Sequence, residues 1–138
     1  MEESTLSNAI GPTGPGRRPT ALVVDDDPSV CAVLEVVLRK LGCSVETAAN
    51  GTEAHERMGR RPLDIIVTDL CMPEEDGFAL LNRIRARWRG TPVIAMSAGV
   101  PGLDVLSAAV RLGANAAMRK PIDRDLFEAE VRRFLKLA

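Results

Sequence analysis

Five polar side chains in this 138-residue chain stand where the hydrophobic pattern leaves them free to do chemistry. Asp25 and Asp26 follow the apolar run Ala21-Leu22-Val23-Val24, and Asp69 closes the run Ile65-Ile66-Val67-Thr68. Ser97 follows Val93-Ile94-Ala95-Met96, and Lys120-Pro121 follows the short stretch Asn115 to Met118. A single acid at the end of a buried strand is poorly placed for packing, so Asp69 is expected as an exposed nucleophile that accepts a phosphoryl group. Three carboxylates cannot share a cleft unassisted: two unit charges about 4 Å apart repel by about 4 kcal/mol at an effective dielectric near 20. That is roughly three pKa units, so one acid takes a proton or the group takes a cation. An oxygen-only ligand set that leaves room for water and phosphate suits Mg²⁺. Lys120 adds a fixed positive charge.

The elements that must bring these groups together follow from periodicity. Ala21 to Val24 reads as a strand buried on both faces. Asp27 then serves as an N-cap, Pro28 suits the first helical position, and Val30, Leu34, Val37 and Leu41 recur at helical spacing until Gly42 ends the helix. Further strands are expected at Ser44 to Ala48, Leu63 to Thr68, Pro92 to Met96 and Asn115 to Met118. Helices are expected at Gly51 to Met58, Gly77 to Trp88, Leu103 to Leu112 and Asp123 to Leu137. The last carries Phe127, Val131 and Phe134 on one face, acids in its first turn and Arg132, Arg133 and Lys136 toward its end, as the helix dipole favours. Five strand-then-helix units predict an α/β fold with a parallel sheet covered by helices on both faces. Right-handed crossovers put every strand's C-terminal end on one edge, where ligands sit. All five polar groups fall there.

Composition narrows the function classes. Hydrophobic residues make up 46% of the chain and its formal net charge is -1, which fits one globular domain and gives no reason to expect direct nucleic-acid binding. Aromatic residues are only 3%, too few for a stacking surface. The apolar runs are too short to span a membrane, and the start Met1-Glu2-Glu3 lacks the features of a signal peptide, so a cytoplasmic protein is expected. Residues 1 to 19, dense in glycine and proline, read as a flexible tail, with the folded domain at 20 to 138. Cys31, Cys43 and Cys71 are odd in number and widely spaced, which points to reduced thiols. His55 is expected on a solvated helix face, and Arg83, Arg85, Arg87 and Arg89 at a solvated helix end.

Taken together, Val-Val-Asp25-Asp26-Asp27, Val-Thr-Asp69-Leu-Cys-Met-Pro73 with Asp76-Gly77, Ala-Met-Ser97-Ala98 and Lys120-Pro121 resemble the receiver domain of bacterial two-component response regulators, of the single-domain, chemotaxis-regulator-like kind. Each piece alone is weak; all four in order, each after an expected strand, are specific. The resemblance implies a flavodoxin-like, doubly wound five-stranded parallel sheet of order 2-1-3-4-5 with five helices. It implies that Asp69 accepts phosphate from a phosphohistidine of a sensor histidine kinase or phosphotransfer protein, and that the only reactions catalysed are the domain's own phosphorylation and dephosphorylation. Asp25, Asp26, Asp69 and the backbone carbonyl of Cys71 would hold Mg²⁺. Ser97 would be the switch hydroxyl and Lys120 the charge partner of the phosphoryl oxygens, with a cis Lys120-Pro121 bond. A downstream protein would read helix four, strand five and helix five. Two departures stand out: Ala117 replaces the aromatic residue common on strand five, and Gly99-Val100-Pro101-Gly102 replaces the usual polar start of helix four, predicting a mobile loop.

Blander readings exist for each piece. Asp25 to Asp27 could be only an acidic helix start, Met72 to Gly77 an ordinary turn, and Ser97 an ordinary strand-end residue. Two rival functions also compete. A small phosphatase of the haloacid dehalogenase type would use Asp25 as nucleophile but would leave Asp69 unexplained. A receiver-like interaction module would never take phosphate.

Overall fold

The computed structural model describes residues 17–72, 75–99 and 104–137. The chain alternates β1 (Thr20–Val24), α1 (Pro28–Lys40), β2 (Ser44–Ala48), α2 (Gly51–Met58), β3 (Ile65–Asp69), β4 (Cys71–Met72), β5 (Glu75–Asp76), α3 (Gly77–Arg87), β6 (Val93–Ser97), α4 (Val105–Arg111), β7 (Ala116–Arg119) and α5 (Arg124–Leu135). Five strands form a parallel sheet in the order β2-β1-β3-β6-β7, which is 2-1-3-4-5 when the two-residue strands β4 and β5 are set aside. This is the flavodoxin-like arrangement expected from the sequence.

The two-residue period of a strand sorts the core into two layers. Ala21, Val23, Ile65, Val67, Ile94 and Met96 face one side, where Leu34 and Leu38 of α1 and Phe127 and Val131 of α5 cover them. Leu22, Val24, Ile66, Val93 and Ala95 face the other, beneath Ala54 and Met58 of α2, Leu80, Leu81 and Ile84 of α3, and Ala109 of α4. Strands buried on both faces read as unbroken apolar runs, which is why the first, third and fourth strands were so legible.

Helix starts are set by side chains that take the free N–H groups of the first turn. Asp27 accepts from Ser29 N at 2.9 Å ahead of Pro28, Asn50 accepts from Glu53 N at 2.9 Å, and Asp123 accepts from Leu126 N at 3.1 Å. Strand β3 begins at Ile65 rather than Leu63, where the buried Asp64 carboxylate, not a ladder carbonyl, accepts the Thr20 N–H at 2.7 Å. Helix α4 covers Val105–Arg111. Leu103, the expected loop residues 100–102, Pro73 and most of the expected N-terminal tail lie outside the described residues.

The arginines near the end of α3 correct one expectation. Arg85 is half-buried and bound into the fold: Nε donates to Gly113 O at 2.7 Å, Nη1 to Trp88 O and Arg89 O at 3.0 Å each, and Nη2 to Thr91 O and Asn115 Oδ1 at 2.7 Å each. All five guanidinium donors are engaged, and Asn115 Oδ1 also accepts from Val93 N at 2.9 Å. One side chain therefore ties the end of α3 to the starts of β6 and β7. Helix polarity alone suggests a cation at this position but not carbonyls from two loops. Arg87 instead lies over the Trp88 ring, 4.7 Å from its centroid.

Candidate functional site

The C-terminal edge of the sheet gathers the polar residues singled out in the sequence. Asp25 directly follows β1, Asp69 is the last residue of β3, Cys71 opens β4, Ser97 ends β6, and Lys120 directly follows β7. The backbone ladder runs past the strand ends: Asp25 N donates to Ala48 O at 3.0 Å, Leu70 N to Met96 O at 2.9 Å, and Lys120 N to Ser97 O at 2.8 Å. The candidate side chains thus sit on backbone already fixed by the sheet, which is the condition for a preorganised site.

Carboxylate oxygens of Asp25, Asp26 and Asp69 lie within 4.8 Å of one another. Asp26 is exposed, whereas Asp25 and Asp69 are only 1% and 2% exposed. The expectation of an exposed Asp69 is therefore wrong. β3 runs one residue further than the apolar pattern suggested, with Asp69 paired to Met96 of β6. Lys120 reaches across from β7, its Nζ 2.7 Å from Asp25 Oδ2 and 3.2 Å from Asp69 Oδ2. The remaining carboxylate oxygens take backbone donors, Asp27 N on Asp25 Oδ1 at 2.9 Å and Cys71 N on Asp69 Oδ1 at 3.1 Å.

These contacts tune the charges. Burial pushes the Asp69 carboxyl above its ordinary range; the Cys71 N–H opposes this, the Asp25 charge adds to it and Lys120 opposes it. Burial works to lower the Lys120 ammonium, but its hydrogen bonds and its attraction to Asp25 and Asp69 outweigh that and hold it above the usual lysine value. One ammonium among three carboxylates leaves excess negative charge, concentrated on hard oxygen donors. That donor set fits a small divalent cation such as Mg²⁺, with Asp26 the acid open to solvent.

Ser97 is fully buried; its Oγ accepts from Gly99 N at 2.9 Å and lies 3.5 Å from Cys71 Sγ. The Lys120-Pro121 bond is cis. The expected turn after Met72 contains a short antiparallel ladder in which Cys71 pairs with Asp76 and Met72 with Glu75. It is held close to α3 because Gly77 has no side chain: a Cβ there would run into the backbone of Leu70, the residue after Asp69. The sequence signal for this was Asp76-Gly77, read only as part of a motif.

Known proteins share this fold. The response regulator receiver domain family matches residues 21–132. The chain belongs to that family. The response regulator protein PilR of Pseudomonas aeruginosa is 36% identical over 106 residues, covering 77% of this chain and 24% of PilR. The DNA-binding transcriptional regulator NtrC of Escherichia coli is 40% identical over 111 residues, 80% of this chain and 24% of NtrC. The chain thus spans about a quarter of the length of these curated relatives. The receiver domain of the Francisella response regulator 1452 superposes with a TM-score of 0.78 at 28% identity, covering 86% of this chain and 98% of that one. Asp69, which the phosphatase reading left unused, stands in the same cluster as Asp25. Among the described residues no helix is long and apolar enough to cross a membrane.

Proposed function

We propose that this receiver works in phosphorelay signalling, taking a phosphoryl group onto Asp69 from a phosphohistidine of a sensor histidine kinase or phosphotransfer protein. One observation carries the reading: Asp25, Asp26 and Asp69 converge within 4.8 Å while Lys120 bridges Asp25 and Asp69. A carboxylate oxygen of Asp69 attacks phosphorus, the P–N bond breaks, and the imidazole leaves with its electron pair. The acceptor must be ionised to attack, and Lys120 beside it favours that form. Asp25, Asp26, Asp69 and the carbonyl of Cys71 would hold Mg²⁺, which when bound offsets the negative charge on the transferring oxygens.

On the phosphorylated form, Ser97 and Lys120 each donate a charge-assisted hydrogen bond to the phosphoryl oxygens. At about 1.5 to 3 kcal/mol each, two such bonds supply most of the roughly 5.5 kcal/mol that takes a two-state element from 1:99 to 99:1. Movement of Ser97 and Lys120 is then passed to the surface of α4, β7 and α5, where Ala117 offers no ring to follow the hydroxyl. Residues 20 to 138 form the receiver, after the Gly/Pro-rich stretch 1 to 19, and the readout is binding of a downstream protein in the cytoplasm rather than direct contact with nucleic acid.

Incubating the protein with Mg²⁺ and a small phosphodonor, then measuring intact mass, tests this. The expected product carries one base-labile phosphoryl group that Asp69→Asn lacks. A protein that takes no label from small donors or from any histidine kinase would be an interaction module instead.

A further inference from the structure

The side chain of Cys71 has no part in the reading above, in which only its backbone serves. Its surroundings give it one. The Cys71 N–H bonds the acceptor's Oδ1 at 3.1 Å, while its Sγ lies 3.5 Å from the hydroxyl of Ser97. That hydroxyl also accepts the Gly99 N–H at 2.9 Å, from a glycine at φ +99. Ser97 is fully buried, so no solvent competes for its hydroxyl, and its one proton and two lone pairs have few possible partners. When the hydroxyl is the donor of this pair, its one proton is committed to the Cys71 sulfur while the Gly99 N–H occupies a lone pair.

From these contacts we infer that Cys71 is a positioning residue whose thiol holds Ser97 in its resting arrangement and so sets how readily the domain switches. The inference rests on the proposed role of Asp69 and Ser97 in phosphoryl transfer and readout. To donate to a phosphoryl oxygen on Asp69, the Ser97 hydroxyl has to give up its contact with sulfur. The thiol therefore opposes the switched state. It also joins the acceptor to the switch hydroxyl, since one residue touches the first through its backbone and the second through its side chain. A thiol is a weak hydrogen-bonding group and Cys71 is exposed, so the restraint is modest. Alanine removes it; serine, with a stronger donor and acceptor of similar size, restores it.

The test is a ¹⁹F NMR titration of the full chain with beryllofluoride, a phosphoryl mimic, in excess Mg²⁺. Cys71→Ala is expected to bind about two- to five-fold more tightly than wild type, the scale of one weak hydrogen bond. Cys71→Ser is expected to return to wild-type affinity or weaker. Adding Cys71→Ala to Ser97→Ala is expected to change nothing, because the group being restrained is gone. The inference is overturned if Cys71→Ala binds as wild type does, or if Cys71→Ser behaves like Cys71→Ala. It is also overturned if the effect of Cys71→Ala persists in the Ser97→Ala background, which would mean that residue 71 touches the ligand directly. Wild-type protein that takes no beryllofluoride in Mg²⁺ overturns the inference together with the phosphoacceptor reading, whereas binding that is indifferent to residue 71 overturns the inference alone.

Discussion

Replacing Lys120 with methionine keeps its apolar stem and removes the one ammonium that bridges Asp25 and Asp69. Its Nζ stands 2.7 and 3.2 Å from their Oδ2 atoms, so the gross attraction is about 5 to 6 kcal/mol per pair at an effective dielectric near 20. Desolvation of the ammonium and of the two buried acids cancels much of this. The net loss is that of a buried ion pair broken from one side, about 3 kcal/mol at neutral pH without divalent cation. Against a total of about 5 to 15 kcal/mol, this lowers the urea midpoint by about 1 to 3 M. The pH dependence gives a second check. Burial first, then Asp25, already raises the Asp69 carboxyl, and losing Lys120 raises it further. A carboxyl whose folded pKa lies above its unfolded value binds more protons in the native state, so the variant gains stability as pH falls toward that pKa. The Lys120 ammonium of wild type lies above the usual lysine value and stays charged across this window; its contribution fades only in alkali. The gap between wild type and variant therefore narrows from about pH 7.5 to about pH 5. Added Mg²⁺ narrows it too: it binds the native acids and not the unfolded chain, and it stabilises the variant more because no ammonium competes with it for Asp25 and Asp69. Urea unfolding in EDTA and in Mg²⁺ at both pH values measures all three effects. An unchanged midpoint in EDTA at neutral pH, or a gap that does not respond to pH, would refute the assignment of Lys120 as the counter-ion of the buried acids.

Further expectations concern the parts that hold the site. Gly77→Ala forces a methyl group into the Leu70 backbone and is expected to cost at least 1 to 3 kcal/mol, roughly the penalty of overpacking, read as a lower thermal midpoint. Arg85→Lys keeps the charge but cannot span five acceptors; it is expected to lose about 2 to 4 kcal/mol, and denaturant unfolding indistinguishable from wild type would contradict the clamp. Cys31 and Cys43 are buried and burial pushes each thiol up to about 11, so iodoacetamide near neutral pH is expected to modify Cys71 alone in the native protein. Peptide mapping before and after unfolding tests this.

What could be read from the chain and what could not divide along a physical line. Strands β1, β3 and β6 are buried on both faces, so composition alone marks them, and the acids that end the first and third runs mark the sheet edge. Helix α1 announced itself through Asp27, Pro28 and a regular apolar stripe. Contacts that depend on distant backbone were invisible. The five acceptors of Arg85 come from the α3–β6 connection, Gly113 and Asn115, and no local pattern encodes them. Gly77 looked like a motif letter, whereas its reason is the backbone of Leu70. The apolar run stops before Asp69, which suggests exposure, yet the ladder continues through Asp69 paired to Met96 and its side chain is buried. The meeting of Cys71 and Ser97 joins residues 26 positions apart and needed the sheet to bring them together.

The central claim is that Asp69 is the phosphoacceptor, and the most direct measurement is intact mass after incubation with Mg²⁺ and a small phosphodonor, compared across wild type, Asp69→Asn and Asp25→Asn. The account predicts one base-labile phosphoryl group on wild type, none on Asp69→Asn, and a slower gain on Asp25→Asn, where a metal-binding acid and a partner of Lys120 is lost. A label that persists in Asp69→Asn and vanishes in Asp25→Asn would contradict it and move the nucleophile to the end of β1.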